Sequence, residues 1–163
     1  MRELKINGKI YILKFTHKAA KCQKCVQKVF ELLTGASVMR GMDNREEPTL
    51  AGMLTGVAYQ VGEIPSLCDT LMYAGLKAEN PVDTEEEAGD LLISYMEETG
   101  KGYAEIFESL KECLEEDGFF KISGIDQMIQ NMNNAMKEEV PEVEAQKEEE
   151  PKKPKTTAKK TSK

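Results

Sequence analysis

Two cysteines three positions apart, Cys22 and Cys25, form the pairing in this chain that most resembles a chemical motif. Cys-x-x-Cys does two kinds of work. Joined by a second pair or by histidines it holds a tetrahedral zinc ion; at the first turn of a helix that follows a strand it exchanges disulfides. Neither setting is complete here. His17 is the sole histidine, and Cys68 and Cys113 fall alone on other predicted helices. A strand precedes the pair, but no βαβ pattern surrounds it, and the pair sits inside the predicted helix rather than at its start. Cysteine also packs as a small apolar side chain, and that is the reading favoured for Cys22 and Cys25.

The other candidates are weaker still. His17 has no fixed partner in sequence and suits a surface or capping position between strand and helix. Glu85-Glu86-Glu87 and Glu115-Glu116-Asp117 are acidic enough to suggest a metal. Consecutive residues on a helix splay around its axis, however, and do not converge on one ion, while negative charge in a first turn is favoured by the helix dipole. No glycine-rich phosphate loop, nucleophile elbow or metalloprotease helix is present. We therefore expect no catalytic, cofactor-binding or metal-binding residue, and recognition rather than catalysis.

The nine methionines point the same way. Met39 and Met42 lie in a polar stretch without helical period, Met53 lies on a predicted helix, and Met128, Met132 and Met136 line the last one. Methionine is flexible and polarisable, and it is over-used on surfaces that accommodate varied apolar partners. A methionine stripe at helical spacing also suits a core, so the two loop methionines carry more of this argument. These six residues are the candidate partner-binding set.

The elements that position them follow from periodicity. Glu3 to Ile6 alternates polar with apolar, Asn7-Gly8 is a preferred two-residue turn, and Lys9 to Phe15 returns, which predicts a β-hairpin. Such a hairpin is marginal alone, so helices must cover one face. Cys22, Cys25, Val26, Val29, Phe30 and Leu33 recur at helical spacing, and Gly35 ends that helix. A loop is expected over 36–47. Pro48-Thr49 opens a helix with Leu50, Met53, Leu54, Val57, Ala58 and Val61 on one face, and Pro65-Ser66 begins another that ends at Asn80-Pro81. Thr84 with Glu87 predicts a capping box before the stripe Ala88, Leu91, Leu92, Tyr95, Met96. Tyr103, Ile106, Phe107, Leu110 and Leu114 form the next stripe. Phe119 to Ile122 reads as an extended connector, and Ser123 with Asp126 as the cap of a final helix.

The chain of 163 residues is 40% apolar, 6% aromatic and without tryptophan. That composition suits Leu/Ile/Met/Val packing between helices. Its net charge of −7 lies entirely before residue 138, because 138–163 holds seven glutamates and seven lysines. So acidic a body is unsuited to gripping a phosphate backbone, and no nucleic acid is expected as partner. No apolar run approaches the roughly 20 residues of a membrane span, and the start lacks the apolar core of a secretory signal. The expectation is mainly α: residues 1–137 form a helical domain, an N-terminal β-hairpin packed on about five to six short helices, and 138–163 form a disordered charged tail.

The order of these parts resembles a known family. Leu4-x-Ile6-Asn7-Gly8-Lys9-x-Tyr11-x-Leu13-Lys14-Phe15 is followed by an amphipathic helix and Gly41-Met42. A helix carrying Met72-Tyr73-Ala74-Gly75-Leu76-Lys77-Ala78-Glu79-Asn80-Pro81 and an acidic helix pair come next. Over roughly residues 1–120 this looks like the tail assembly chaperones of long-tailed phages and prophages of Gram-positive bacteria. The resemblance implies a non-enzymatic protein of the host cytoplasm, absent from the mature virion. It would bind the tape measure protein, keep it soluble and recruit tail tube protein around it. A longer form made by frameshifting is part of the family pattern. The Cys22/Cys25 pair and the long charged tail depart from that pattern. Two other readings stay open: a structural component of the tail or connector, and a small zinc or redox module built on Cys22 and Cys25. Pairing of a second copy on the hairpin edge is open as well.

Overall fold

The computed structural model describes residues 1–35 and 50–138. Met39, Met42, the rest of the expected loop and the tail from residue 139 onward lie outside the described residues. The remainder is mainly helical: one two-stranded hairpin and seven helices.

Strands β1 (Arg2–Ile6) and β2 (Lys9–Leu13) pair antiparallel with Ile6 opposite Lys9 and Leu4 opposite Tyr11. Asn7 and Gly8 both take positive φ, +49° and +74°, as the tight turn requires. Alternation puts Leu4, Ile6 and Leu13 in the core. The outer edge of β2 is not left open. Ile12 N–H donates to Asn80 Oδ1 at 2.6 Å, and Lys14 N–H to the Gly75 carbonyl at 3.0 Å.

Helix α1 (His17–Ala20) is a single turn whose cap is Thr16, and α2 (Gln23–Thr34) ends on Gly35 in the left-handed region. Helix α3 spans Leu50–Leu76 without interruption. This corrects the expected break at Pro65. A proline inside a helix leaves the carbonyl four residues earlier without its donor. Here that residue is Val61, a surface position at which solvent can serve the orphaned carbonyl.

Helix α4 (Glu85–Thr99) begins as predicted at Thr84, whose Oγ1 accepts from Glu87 N–H at 3.1 Å. The Glu87 carboxylate returns to the amide of Asp83 instead of Thr84. Helix α5 (Tyr103–Glu116) follows. The expected extended connector is instead a short helix, α6 (Phe119–Ser123), between Gly118 and Gly124, both left-handed. Paired phenylalanines suggest a strand, but these two glycines start and stop one turn, and Phe119 is needed inside. Its ring meets that of Phe15 edge-on, with centroids 5.6 Å apart. Ser123 does not cap helix α7 (Ile125–Glu138); its hydroxyl bonds back to the Phe120 carbonyl.

The C-terminal half of α3 is the spine of the molecule. Leu67, Cys68, Leu71, Met72, Ala74 and Leu76 are all buried, against α4 on one flank and α5 on the other. The hairpin closes over the spine through Leu13 and Phe15, which pack on Gly75.

Candidate partner-binding surface

From Leu50 to Gly62 the sequence contains no charged residue. That stretch is the N-terminal half of α3, and it runs beyond the part of the helix that the core buries. Val57 is 51% exposed and Val61 58%, and Tyr59 between them is exposed as well. These residues do not share one stripe. Among the described residues, nothing covers Val57, Tyr59 and Val61 on this part of the helix. The sequence places Val57 and Val61 on one apolar face, and the structure leaves that face exposed at both residues. The length of the charge-free run, and Tyr59 standing off the stripe, are the signals that would have marked the surface.

Helix α2 lies alongside. Lys28, Glu31, Leu32, Tyr59, Gln60, Glu63, Ile64 and Leu67 surround a small recess of about 40 Å³ between α2 and α3. The Lys28 ammonium fixes the rim by bonding Ser66 Oγ at 2.6 Å and approaching Glu63 at 3.7 Å. Leu33, at the end of α2, adds another exposed apolar side chain. Helix α7 packs on α6 and α2 through Ile125 and Ile129, and leaves Met128 and Met132 at the surface.

Of the six methionines singled out from sequence, Met128 and Met132 are thus exposed on α7. Met53 and Met136 fall in α3 and α7, in turns whose side chains are outside the described residues, as are Met39 and Met42. Sequence reasoning missed Leu33, Tyr59 and the exposure of Val57 and Val61.

The residues weighed for chemistry stand as follows. Cys25 is buried, and loss of hydration pushes its thiol up to about 12; Cys68 is raised to about 12 for the same reason. At neutral pH such thiols are almost wholly protonated, which makes them poor nucleophiles. Cys22 is half-buried at the cap of α2. His17 is exposed. Among the described residues no three His, Cys, Asp or Glu side chains are grouped to hold a metal ion.

Glu85 takes a structural part. Burial works against its charge, but hydrogen bonds from Lys24 (2.7 Å) and from the buried Thr70 hydroxyl outweigh that, and its carboxyl is held below the usual range. It thereby ties α2, α3 and α4 together. Asp69, beside it, is raised, first by burial and then by the charge of Glu85.

Among the described residues no helix is long and apolar enough to cross a membrane. Compared with protein-family models, with curated proteins and with solved structures, the chain matches none.

Proposed function

We propose that this protein is a tail assembly chaperone: it binds the tape measure protein, shields that protein's apolar helical segments in the host cytoplasm, and helps gather tail tube protein around it. The observation that supports this reading is the charge-free half of α3, with Val57, Tyr59 and Val61 exposed among the described residues. An amphipathic helix laid beside such a surface buries apolar area at roughly 25 cal/mol per Å². Met128 and Met132, exposed on α7, are side chains of a kind that adapts to varied apolar sequences. The resemblance described above supplies the identity of the partner.

The test is co-expression with the tape measure protein encoded beside it. The wild-type chain is expected to raise the soluble yield of that protein. Val57→Asp with Val61→Asp should abolish the gain while the far-ultraviolet circular dichroism stays helical. Equal soluble yields with and without the wild-type chain overturn the proposal.

A further inference from the structure

The hairpin has two edges, and they are treated differently. Residues of an antiparallel pair turn their backbone groups alternately toward the partner strand and away from it. With Ile6 opposite Lys9 across the tight turn, Arg2, Leu4 and Ile6 face β2, and Glu3 and Lys5 face outward. Among the described residues the N–H and C=O groups of Glu3 and Lys5 have no hydrogen-bond partner. The β2 edge is instead occupied at Ile12 by Asn80 and just beyond it, at Lys14, by Gly75, which leaves Ile10 beside the turn. The free edge is that of β1.

Strand β1 is fixed at both ends. The Met1 ammonium meets Asp117 Oδ1 at 2.7 Å, and Arg2 donates to the Ser109 carbonyl and to Glu112, each at 2.9 Å. At the turn, Asn7 N–H donates to Glu98 Oε1 at 2.6 Å. A strand held in this way has little freedom left to lose when another is laid beside it.

Charge decides what that other strand is. Glu3 and Lys5 are exposed, share the outer face of the hairpin and carry opposite signs. Charged residues blunt many natural edges. Between two copies of β1, registers centred on Glu3 or on Lys5 do set like charges against each other. The antiparallel register centred on Leu4 does the reverse: Glu3 lies opposite the partner's Lys5, and Lys5 opposite the partner's Glu3. In that register the outward groups of each pair also meet and exchange backbone hydrogen bonds.

We infer that β1 pairs with β1 of a second copy about a two-fold axis at Leu4, which joins two such hairpins into one continuous sheet. The inference does not rest on the chaperone reading.

The experiment is sedimentation equilibrium of the full chain from micromolar to millimolar concentration, which should show a monomer–dimer equilibrium. Lys5→Glu alone, or Glu3→Lys alone, turns attractive pairs into repulsive ones and should weaken the dimer roughly tenfold. Mixed in equal amounts, those two variants should pair with each other, and the double swap Glu3→Lys with Lys5→Glu should restore wild-type association. Both side chains are exposed, so circular dichroism should report an unchanged fold. A chain that stays monomeric at every concentration overturns the inference. So does a dimer that both single variants leave intact, or a mixture of the two that fails to pair. Loss of the dimer in Val57→Asp with Val61→Asp, with the edge variants unaffected, places the contact on α3 and overturns it as well.

Discussion

The backbone amide of Phe15 donates to Asp117 Oδ2 at 2.8 Å, joining a residue two positions past β2 to the C-terminal cap of α5, 102 positions later in the chain. Phe15 is in the core, so its amide has no access to water, and the carboxylate of Asp117 is its partner. Removing that partner leaves a buried donor unsatisfied. Asp117→Ala should cost about 1–3 kcal/mol of stability, read as a lower denaturant midpoint with an unchanged slope.

Gly75 tests how closely hairpin and spine are fitted. A methyl group there would lie 2.5 Å from Leu13 Cδ1 and 3.0 Å from its Cγ, with Phe15 Cζ at 3.3 Å. Leu13 and Phe15 are both buried and have little room to withdraw. Overpacking of this kind costs about 1–3 kcal/mol, partly offset by the roughly 1 kcal/mol gain in helix propensity of alanine. Gly75→Ala should lower the thermal midpoint by several degrees. Gly62→Ala, in the exposed half of the same helix with open space around it, should raise it.

The neighbours Asp69 and Glu85 give opposite dependences on pH. Folded Asp69 keeps its proton to a higher pH than the unfolded chain does. Its contribution is therefore complete below the ordinary carboxylate range and lost as pH rises through the raised folded value. Glu85 and Asp90 face it with negative charge, and Lys28 and Lys24 oppose them. Asp69→Asn should stabilise the protein at pH 7, and the gain should shrink toward pH 4. Glu85 behaves in reverse: its stabilisation holds above the unfolded value and is lost as pH falls through the depressed one. Glu85→Gln should weaken the fold at pH 7 and converge with wild type on acidification. Denaturation midpoints at the two pH values decide both.

Thiol reactivity separates the four cysteines. Cys25 and Cys68, with thiols at about 12 and no exposure, should resist Ellman's reagent in the native protein at pH 8. Half-buried Cys22 should react first, and all four should react at once in denaturant. Fast modification of Cys25 would mean that the start of α2 opens in solution.

How far the sequence predicted this structure depends on how local each signal is. Asn7-Gly8 specifies a turn by itself, because few other pairs tolerate two positive φ values in succession, and the hairpin was legible. So were the end at Gly35 and the cap at Thr84. Pro65 misled because a proline's cost depends on whether water reaches the orphaned carbonyl, which is a property of the tertiary fold. Phe119-Phe120 misled because strand propensity was read without the left-handed glycines on each side. The exposed apolar surface was half legible. Methionine content pointed to Met128 and Met132, but Val57 and Val61 fit a buried stripe until the core is seen to stop near Leu67.

The unbroken course of α3 has a mechanical consequence. At 1.5 Å per residue, the 14 steps from Val61 to Gly75 make a rod of about 21 Å. One end is clamped under the hairpin and the other carries the bare apolar side chains. Anything seated on that part of the helix is held at a set distance and azimuth from the body. Inserting one residue between Pro65 and Leu67 would swing the cargo by about 100° around the rod's axis and advance it by about 1.5 Å, while the clamp stayed where it was.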